Sequence, residues 1–296
     1  METGWKAARG IGAYVELTKP RITWLILMST AVGYFFGESG PWRLWVLFHA
    51  LLGTGLLASG TATLNEWYER EGDGRMRRTR DRPIPSGRVA PGRALGFGIL
   101  LSALGFADLA WGANMVAAFW GLVTLLSYLF LYTPLKRRTP HSTTLGALPG
   151  AMPPLIGYAA ARGALAPGAW VLFAILFFWQ FPHFLAIAWM YREDYRRGGI
   201  VFLPVVEPDG KSTARQMLAG ALLLVPISLL PAYLSMAGRL YGIGALALGA
   251  GFVLVTLRLA LDRTAVRARS VLLASVVYLP LLYGLLLADS SRLWPS

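Results

Sequence analysis

Residues 168–190 read G-A-W-V-L-F-A-I-L-F-F-W-Q-F-P-H-F-L-A-I-A-W-M. The run contains no Asp, Glu, Lys or Arg. A helix needs roughly 20 mainly apolar residues to cross the hydrocarbon core of a bilayer, so this run predicts a transmembrane helix. Similar runs lie on both sides of it, at about 20–37, 44–64, 94–112, 114–133, 144–161, 216–237, 241–261 and 270–288. A membrane β-barrel would show short alternating segments instead, and the chain has none. Of its 296 residues 55% are hydrophobic and 15% charged, against about 25% charged in an ordinary soluble domain. Mean hydropathy is +0.52. The longest polar stretches, 66–93 and 191–215, are too short for a separate soluble domain. The expected fold class is therefore all-α. A polytopic bundle of nine transmembrane helices forms one domain over residues 1–296, with the lipid bilayer as its surroundings.

The charges orient the bundle. Lys and Arg number 28 and Asp and Glu 15, for a net charge of +13. In a soluble chain that excess would suggest nucleic acid, but 24 of the 28 cations fall in one set of alternate loops. That set comprises the N-terminus to Arg21, then 65–93, 134–143, 191–215 and 258–269. The other set holds Arg43, Arg162, Arg239 and Arg292. Basic loops stay cytoplasmic, so the excess marks topology and no nucleic-acid partner is expected. The N-terminus is expected in the cytoplasm and the C-terminus outside, in the plasma (inner) membrane. Opposite ends need an odd number of spans, which agrees with nine. Residues 1–19 read as an interfacial amphipathic segment; a signal peptide is the rival, without a small-residue cleavage site to support it. With no cysteine in the chain, disulfides, cysteine-ligated metals and thiol nucleophiles are excluded.

Twelve of the 15 acidic residues share the cytoplasmic set. In the first acidic loop, 65–93, Asn65, Glu69 and Asp73 step by four. On a helix they would lie within about 80° of one another, although Gly72 and Gly74 suggest that Asp73 sits in a loop. Arg75, Arg77, Arg78, Arg80 and Arg82 follow. Mg²⁺ takes one or two carboxylates together with phosphate oxygens, and arginine forks bind the remaining oxygens. The combination suits a metal-bound diphosphate; a solvated loop that only sets topology is the plainer alternative.

The second acidic loop, 191–215, follows the run quoted above. Gln180, His183, Ile187, Tyr191 and Asp194 step by three or four and are expected on one helical face, with Pro182 kinking the helix. Polar groups within a span usually face the bundle interior. The plainer readings are a packing histidine, interfacial tyrosines and a surface ion pair at Asp194. Both acidic loops end even-numbered spans, so Asp73 and Asp194 can face each other. The offset of four helices suggests two similar halves. An apolar bundle with carboxylates at its mouth suits a diphosphate-bearing lipid, with the head at the interface and the tail within.

Over nearly its whole length the chain resembles the UbiA-type intramembrane prenyltransferases, and within them the haem-farnesylating branch. The resemblance rests on N-E-W-Y-E-R-E-G-D (65–73), R-M-R-R-T-R-D-R-P-I-P-S-G-R (75–88), L-K-R-R-T-P (135–140), G-A-M-P-P-L-I-G-Y-A-A (150–160) and Q-F-P-H-F…Y-R-E-D-Y (180–195). It implies nine helices and transfer of farnesyl from farnesyl diphosphate to a vinyl group of haem B, giving the side chain of haem O. The cofactor it implies is Mg²⁺, held by Glu69, Asp73 and Asp194, with Asn65 and Tyr191 completing the catalytic set. Arg77, Arg78, Arg82, Lys19 and Lys136 would neutralise the diphosphate. His183, Gln180, Arg137 and Arg138 are the candidates for contacting haem. Two positions depart from the family pattern. Glu69 stands where many relatives have Asp, and Gly198 stands where a second acidic residue is usual after Asp194, which leaves the number of Mg²⁺ ions open.

Two rivals remain at this level. A sister prenyltransferase would act on an aromatic quinone precursor, but R-T-x-x-R-P and P-H-F favour haem. A secondary transporter would use broken helices and midplane charges, whereas the charges here crowd one face. A purely structural assembly role would not need the Asn–Glu–Asp face.

Overall fold

The computed structural model describes residues 10–291 and is all-helical. A short helix α1 (Ile11–Leu17) leads into α2 (Pro20–Gly37) and the long α3 (Leu44–Arg75). Helix α4 (Pro91–Asp108) ends in a π-helical turn, Leu109–Ala113. Helix α5 (Met115–Leu126) continues through a second π turn, Ser127–Tyr132, into α6 (Thr133–Leu135). Next come α7 (Ser142–Gly150), α8 (Pro153–Arg162) and α9 (Pro167–Met190). The short α10 (Arg192–Arg197) and α11 (Leu203–Val206) precede α12 (Lys211–Tyr233), α13 (Arg239–Leu261) and α14 (Ala265–Ala288). Proline opens α2, α4, α8 and α9, where its missing N–H has no partner to lose.

Among the described residues, seven helical stretches are long and apolar enough to cross a membrane. The other two expected spans take different forms. The first is the 18-residue α2. The second, expected over 144–161, is broken into α7 and α8 at Ala151–Met152, because Pro153 and Pro154 cannot donate to the helical ladder. Of the expected interfacial segment 1–19, residues 1–9 lie outside the described residues, as does Arg292; α1 belongs to the rest.

Two apolar clusters divide the core. One gathers Tyr34, Leu57, Leu109, Ala117 and Ile156 from α2, α3, the first π turn, α5 and α8. The other gathers Trp179, Met217, Tyr241, Phe252 and Tyr278 from α9, α12, α13 and α14. Helices α2 and α8 meet backbone to backbone: a Cβ on Gly33 would strike the Pro154 carbonyl, and one on Gly157 the Thr30 carbonyl.

Helix α3 positions the site. At 32 residues it is about 48 Å long, well beyond the roughly 30 Å hydrocarbon core. The polar stretch expected from residue 65 onward is therefore helical to Arg75. Glycine does not break the helix here; it lets another element approach. A Cβ on Gly72 would come within 2.6 Å of the Arg137 guanidinium and 3.1 Å of the Gly198 carbonyl.

Candidate active site

Asn65, Glu69 and Asp73 lie along the last turns of α3, and all three are buried. Asn65 Nδ2 donates to Glu69 Oε2 at 3.0 Å, and the Thr133 hydroxyl donates to Asn65 Oδ1 at 3.0 Å. Glu69 Oε1 forms an ion pair with Lys136 Nζ. Arg82 Nη1 donates to Asp73 Oδ2 at 2.6 Å, and the Thr79 hydroxyl donates to the Asp73 carbonyl at 2.9 Å. Buried carboxylates need partners of this kind, because an isolated buried charge costs far more than a paired one.

Glu66 belongs to the same cluster and was not among the expected residues. It is 1% exposed and accepts from the Ile84 amide at 3.5 Å. The signal was present: Thr63, 0% exposed, precedes Glu66 by three, which makes a second polar stripe on a buried face. Tyr128 and Tyr132 are also additions, with ring centroids 5.1 Å apart beside the ammonium of Lys136, which lies 5.3 Å from the Tyr132 ring. The π turn carrying them reverses no charge pattern, so the sequence offered nothing to mark it.

Lys19 stands between α1 and α2 in a left-handed conformation, φ 49°, ψ 60°. Such a residue costs about 1–2 kcal/mol and persists where its surroundings fix it. Its amine feels Glu66, Glu69, Asp73 and Arg82. Burial, reinforced by the charge of Arg82, lowers its pKa to about 8. Burial works against charge on Arg82 as well, but Asp73 and Glu66 outweigh it and hold the guanidinium above its ordinary range.

The second acidic segment meets the first. The Arg77 and Arg78 amides donate to the two carboxylate oxygens of Asp194 at 3.3 and 3.2 Å, and Arg197 Nη1 lies 3.3 Å from Asp194 Oδ1. The guanidinium of Arg78 lies over the rings of Tyr191 and Tyr195, at 5.2 and 5.5 Å, and donates to the Tyr195 hydroxyl at 3.2 Å. Burial raises the pKa of that hydroxyl, so it stays a neutral partner. The elements carrying Asp73 and Asp194 are thus joined through residues 77 and 78.

The single face expected for Gln180, His183, Tyr191 and Asp194 does not form. Helix α9 ends at Met190, Tyr191 leaves the helical region (φ −111°, ψ 21°), and Asp194 belongs to α10. Gln180 is buried and donates to the carbonyls of Ala147 on α7 and Leu176 on α9, at 3.0 and 3.2 Å. His183 turns toward α14 instead, with Nδ1 2.8 Å from the Ser275 hydroxyl and its ring stacked on Trp179 at 4.5 Å. Arg77, Arg137 and Arg138 are exposed at the same end of the bundle.

The donor set fits Mg²⁺ in one respect. Carboxylate and amide oxygens are its preferred hard ligands, and Asn65, Glu69 and Asp73 present them on adjacent turns. Among the described residues no group of three or more His, Asp or Glu side chains is gathered tightly enough to hold a metal alone. Phosphate oxygens would have to complete the coordination.

Comparison with known proteins follows this geometry. Residues 26–285 match the UbiA prenyltransferase family. A protoheme IX farnesyltransferase of Solibacter usitatus is 61% identical over 285 residues, covering 93% of this chain and 98% of the relative. One from Salinibacter ruber is 46% identical, with 93% and 98% covered. Among solved structures, a digeranylgeranylglyceryl phosphate synthase superposes with a TM-score of 0.79 at 17% identity, over 94% of this chain and 98% of the other. A UbiA homologue from Archaeoglobus fulgidus bound to DMAPP and Mg²⁺ gives 0.63 at 19% identity, over 92% and 98%.

Proposed function

The chain belongs to the UbiA prenyltransferase family, and from that premise we infer that it transfers a farnesyl group from farnesyl diphosphate to a vinyl group of haem B, giving haem O. It is an integral membrane enzyme. The observation that carries the mechanism is the neutral cluster at the end of α3, where Glu66, Glu69 and Asp73 are matched by Lys19, Arg82 and Lys136.

Glu69 and Asp73, with Asp194 across the junction, would hold Mg²⁺, and Asn65 orients Glu69. Bound there, the metal supplies Lewis-acid charge to the diphosphate. The chain supplies the rest by exchange of partners. Arg82 and Lys136, each now on a carboxylate, turn to the incoming diphosphate oxygens, joined by Lys19, Arg77 and Arg78. Cations aimed at the leaving oxygens stabilise charge as it develops there. Breaking the bond between farnesyl C1 and oxygen sends the electron pair to diphosphate. The vinyl terminus attacks C1, and water then adds its hydroxide to the porphyrin-side cation while a proton leaves. The rings of Tyr128, Tyr132 and Tyr191 present faces that stabilise the allylic cation. Tyr191 also orders Arg78.

For the acceptor, the exposed Arg137 and Arg138 pair with haem propionates. Gln180 and His183, held by the Ala147 carbonyl and the Ser275 hydroxyl, bear on the acceptor only by bracing α9 against α7 and α14. The remaining two helical stretches, α2 and the α7–α8 pair, complete nine spans. The basic loops put the site and the N-terminus in the cytoplasm and the C-terminus outside, in the inner membrane. Reporter fusions at the two termini test that orientation and are expected to give opposite signals.

The test of function is a product assay. Purified protein is incubated with haem B, farnesyl diphosphate and Mg²⁺, with and without chelator, and the haem is analysed by mass spectrometry. The expected product is haem carrying farnesyl plus the elements of water, lost with chelator. Unaltered haem, with diphosphate released only when an aromatic acid is supplied, would move the chain to a sister activity.

A further inference from the structure

Arg88 lies in the loop after α3, outside the cluster just described, and its guanidinium is fully engaged. Nη1 and Nη2 fork the carboxylate of Glu16 at 2.7 and 3.1 Å. Nη2 also donates to the Asp81 carbonyl at 2.5 Å, and Nε donates to the Ser86 hydroxyl at 3.1 Å. The Ser86 hydroxyl in turn donates to the Arg82 carbonyl at 2.6 Å. A bidentate Arg–carboxylate fork is directional as well as attractive, and this one is partly shielded, with the Arg88 side chain 12% and the Glu16 side chain 30% exposed.

Its two ends lead to the two cations that bear on Asp73. Glu16 is on α1, and Lys19 follows three residues later. Ala13 and Leu17 of α1 pack against Ile84, Val89 and Ala94, with Tyr14, Trp67 and Phe97 at the edge. The Thr63 hydroxyl on α3 lies 3.5 Å from the Leu17 carbonyl. From the other end, Arg88 reaches through Ser86 to the backbone of Arg82, whose side chain grips Asp73. We propose that the Glu16–Arg88 fork is a positioning clamp for the diphosphate site. It fixes α1 on the loop after α3 and so sets Lys19 and Arg82 in register on the carboxylates. The clamp touches no reacting atom. It acts by keeping a left-handed lysine and a loop arginine within reach of one leaving group, and such placement errors are costly to rate. The proposal rests on the assignment of Lys19 and Arg82 to the diphosphate.

The test compares KM for farnesyl diphosphate with KM for haem B in Glu16→Gln, in Arg88→Gln, and in the exchange of Glu16→Arg with Arg88→Glu. Each single change is expected to raise KM for farnesyl diphosphate about tenfold, with KM for haem B and membrane abundance unchanged. The exchange is expected to recover most of the loss. Arg88→Lys, which keeps the charge and loses the fork, should fall between and serves if the exchange does not accumulate. An equal rise in both KM values, or a fall in abundance alone, would make the pair merely structural and overturn the clamp. Lys19→Met and Arg82→Gln run alongside. If they raise KM for farnesyl diphosphate and Glu16→Gln does not, the clamp fails by itself. If they leave that KM unaltered, the diphosphate assignment fails and the clamp with it.

Discussion

Two acidic segments close one end of this bundle, and they are built in opposite ways. On α3 the helix runs on past the apolar span, and its carboxylates are interior: Glu66, Glu69 and Asp73 are 1%, 5% and 1% exposed. Lys19, Arg82 and Lys136 answer them. After α9 the helix stops at Met190, and Asp194 sits on a separate short helix, where it accepts two backbone amides from the arginine loop. The first segment is a preformed, balanced charge cluster. The second is a docking contact that holds Arg77 and Arg78 over the mouth. A buried carboxylate that loses its charged partner is heavily penalised, whereas Asp194, its side chain 14% exposed, shares its oxygens among two backbone amides and Arg197 and depends on no single one. The chemistry should therefore depend more steeply on α3 than on α10.

Asp73→Asn breaks that asymmetry most directly. It removes the carboxylate charge and leaves Arg82 without its hydrogen-bonded counter-ion. We expect kcat/KM to fall on the order of a thousandfold, about 4 kcal/mol of transition-state stabilisation, with insertion retained. Normal turnover at equal protein level would remove Asp73 from the reaction. Asp194→Asn keeps one acceptor oxygen for the two amides, and a milder loss of about tenfold is expected, mostly in KM for farnesyl diphosphate. A loss as deep as that of Asp73→Asn would make the two segments equals.

The pH profile sharpens the comparison from the cation side. Lys19 is charged below its pKa of about 8 and neutral above it. Its attraction for diphosphate is present below that pH and lost above. The kcat/KM for farnesyl diphosphate, which reports the free enzyme, should decline through about pH 8. In Lys19→Met the value should be lower and that decline absent; a decline that persists would assign it to another group. His183→Ala should have the smallest effect. With Nδ1 on Ser275 and the ring on Trp179, the side chain is held within the α9–α14 contact, and we expect KM for haem B to change by less than about threefold. A change of tenfold or more would give the imidazole a direct part in acceptor binding.

Much of this was legible in residue order. The length and apolarity of α9, α12, α13 and α14 mark them as spans because a bilayer sets a fixed length. The four-residue steps of Asn65, Glu69 and Asp73 place them together because a helix repeats near that interval. Three features were hidden for physical reasons. Gly72 was read as a breaker, since close approach by Arg137 is a tertiary fact that the local sequence does not carry. Glu66 fell off the expected face because one stripe was followed when the cluster uses two. Gln180 and His183 share a face with Tyr191 only while the helix lasts, and it ends at Met190, before an arginine-rich turn that makes its own short helix. The breaking of the span at 144–161 could have been anticipated from Pro153 and Pro154.

The most direct test of the central claim, that the α3 carboxylates receive their metal together with diphosphate, is a Mn²⁺ titration followed by electron paramagnetic resonance. Purified protein would be titrated alone and with a non-hydrolysable farnesyl diphosphate analogue, in the native form and as Asp73→Asn. No three acidic side chains are gathered for a metal among the described residues. Tight binding is therefore expected with the analogue only, and is expected to be lost in Asp73→Asn. Tight binding without the analogue, or binding that survives Asp73→Asn, would contradict the account.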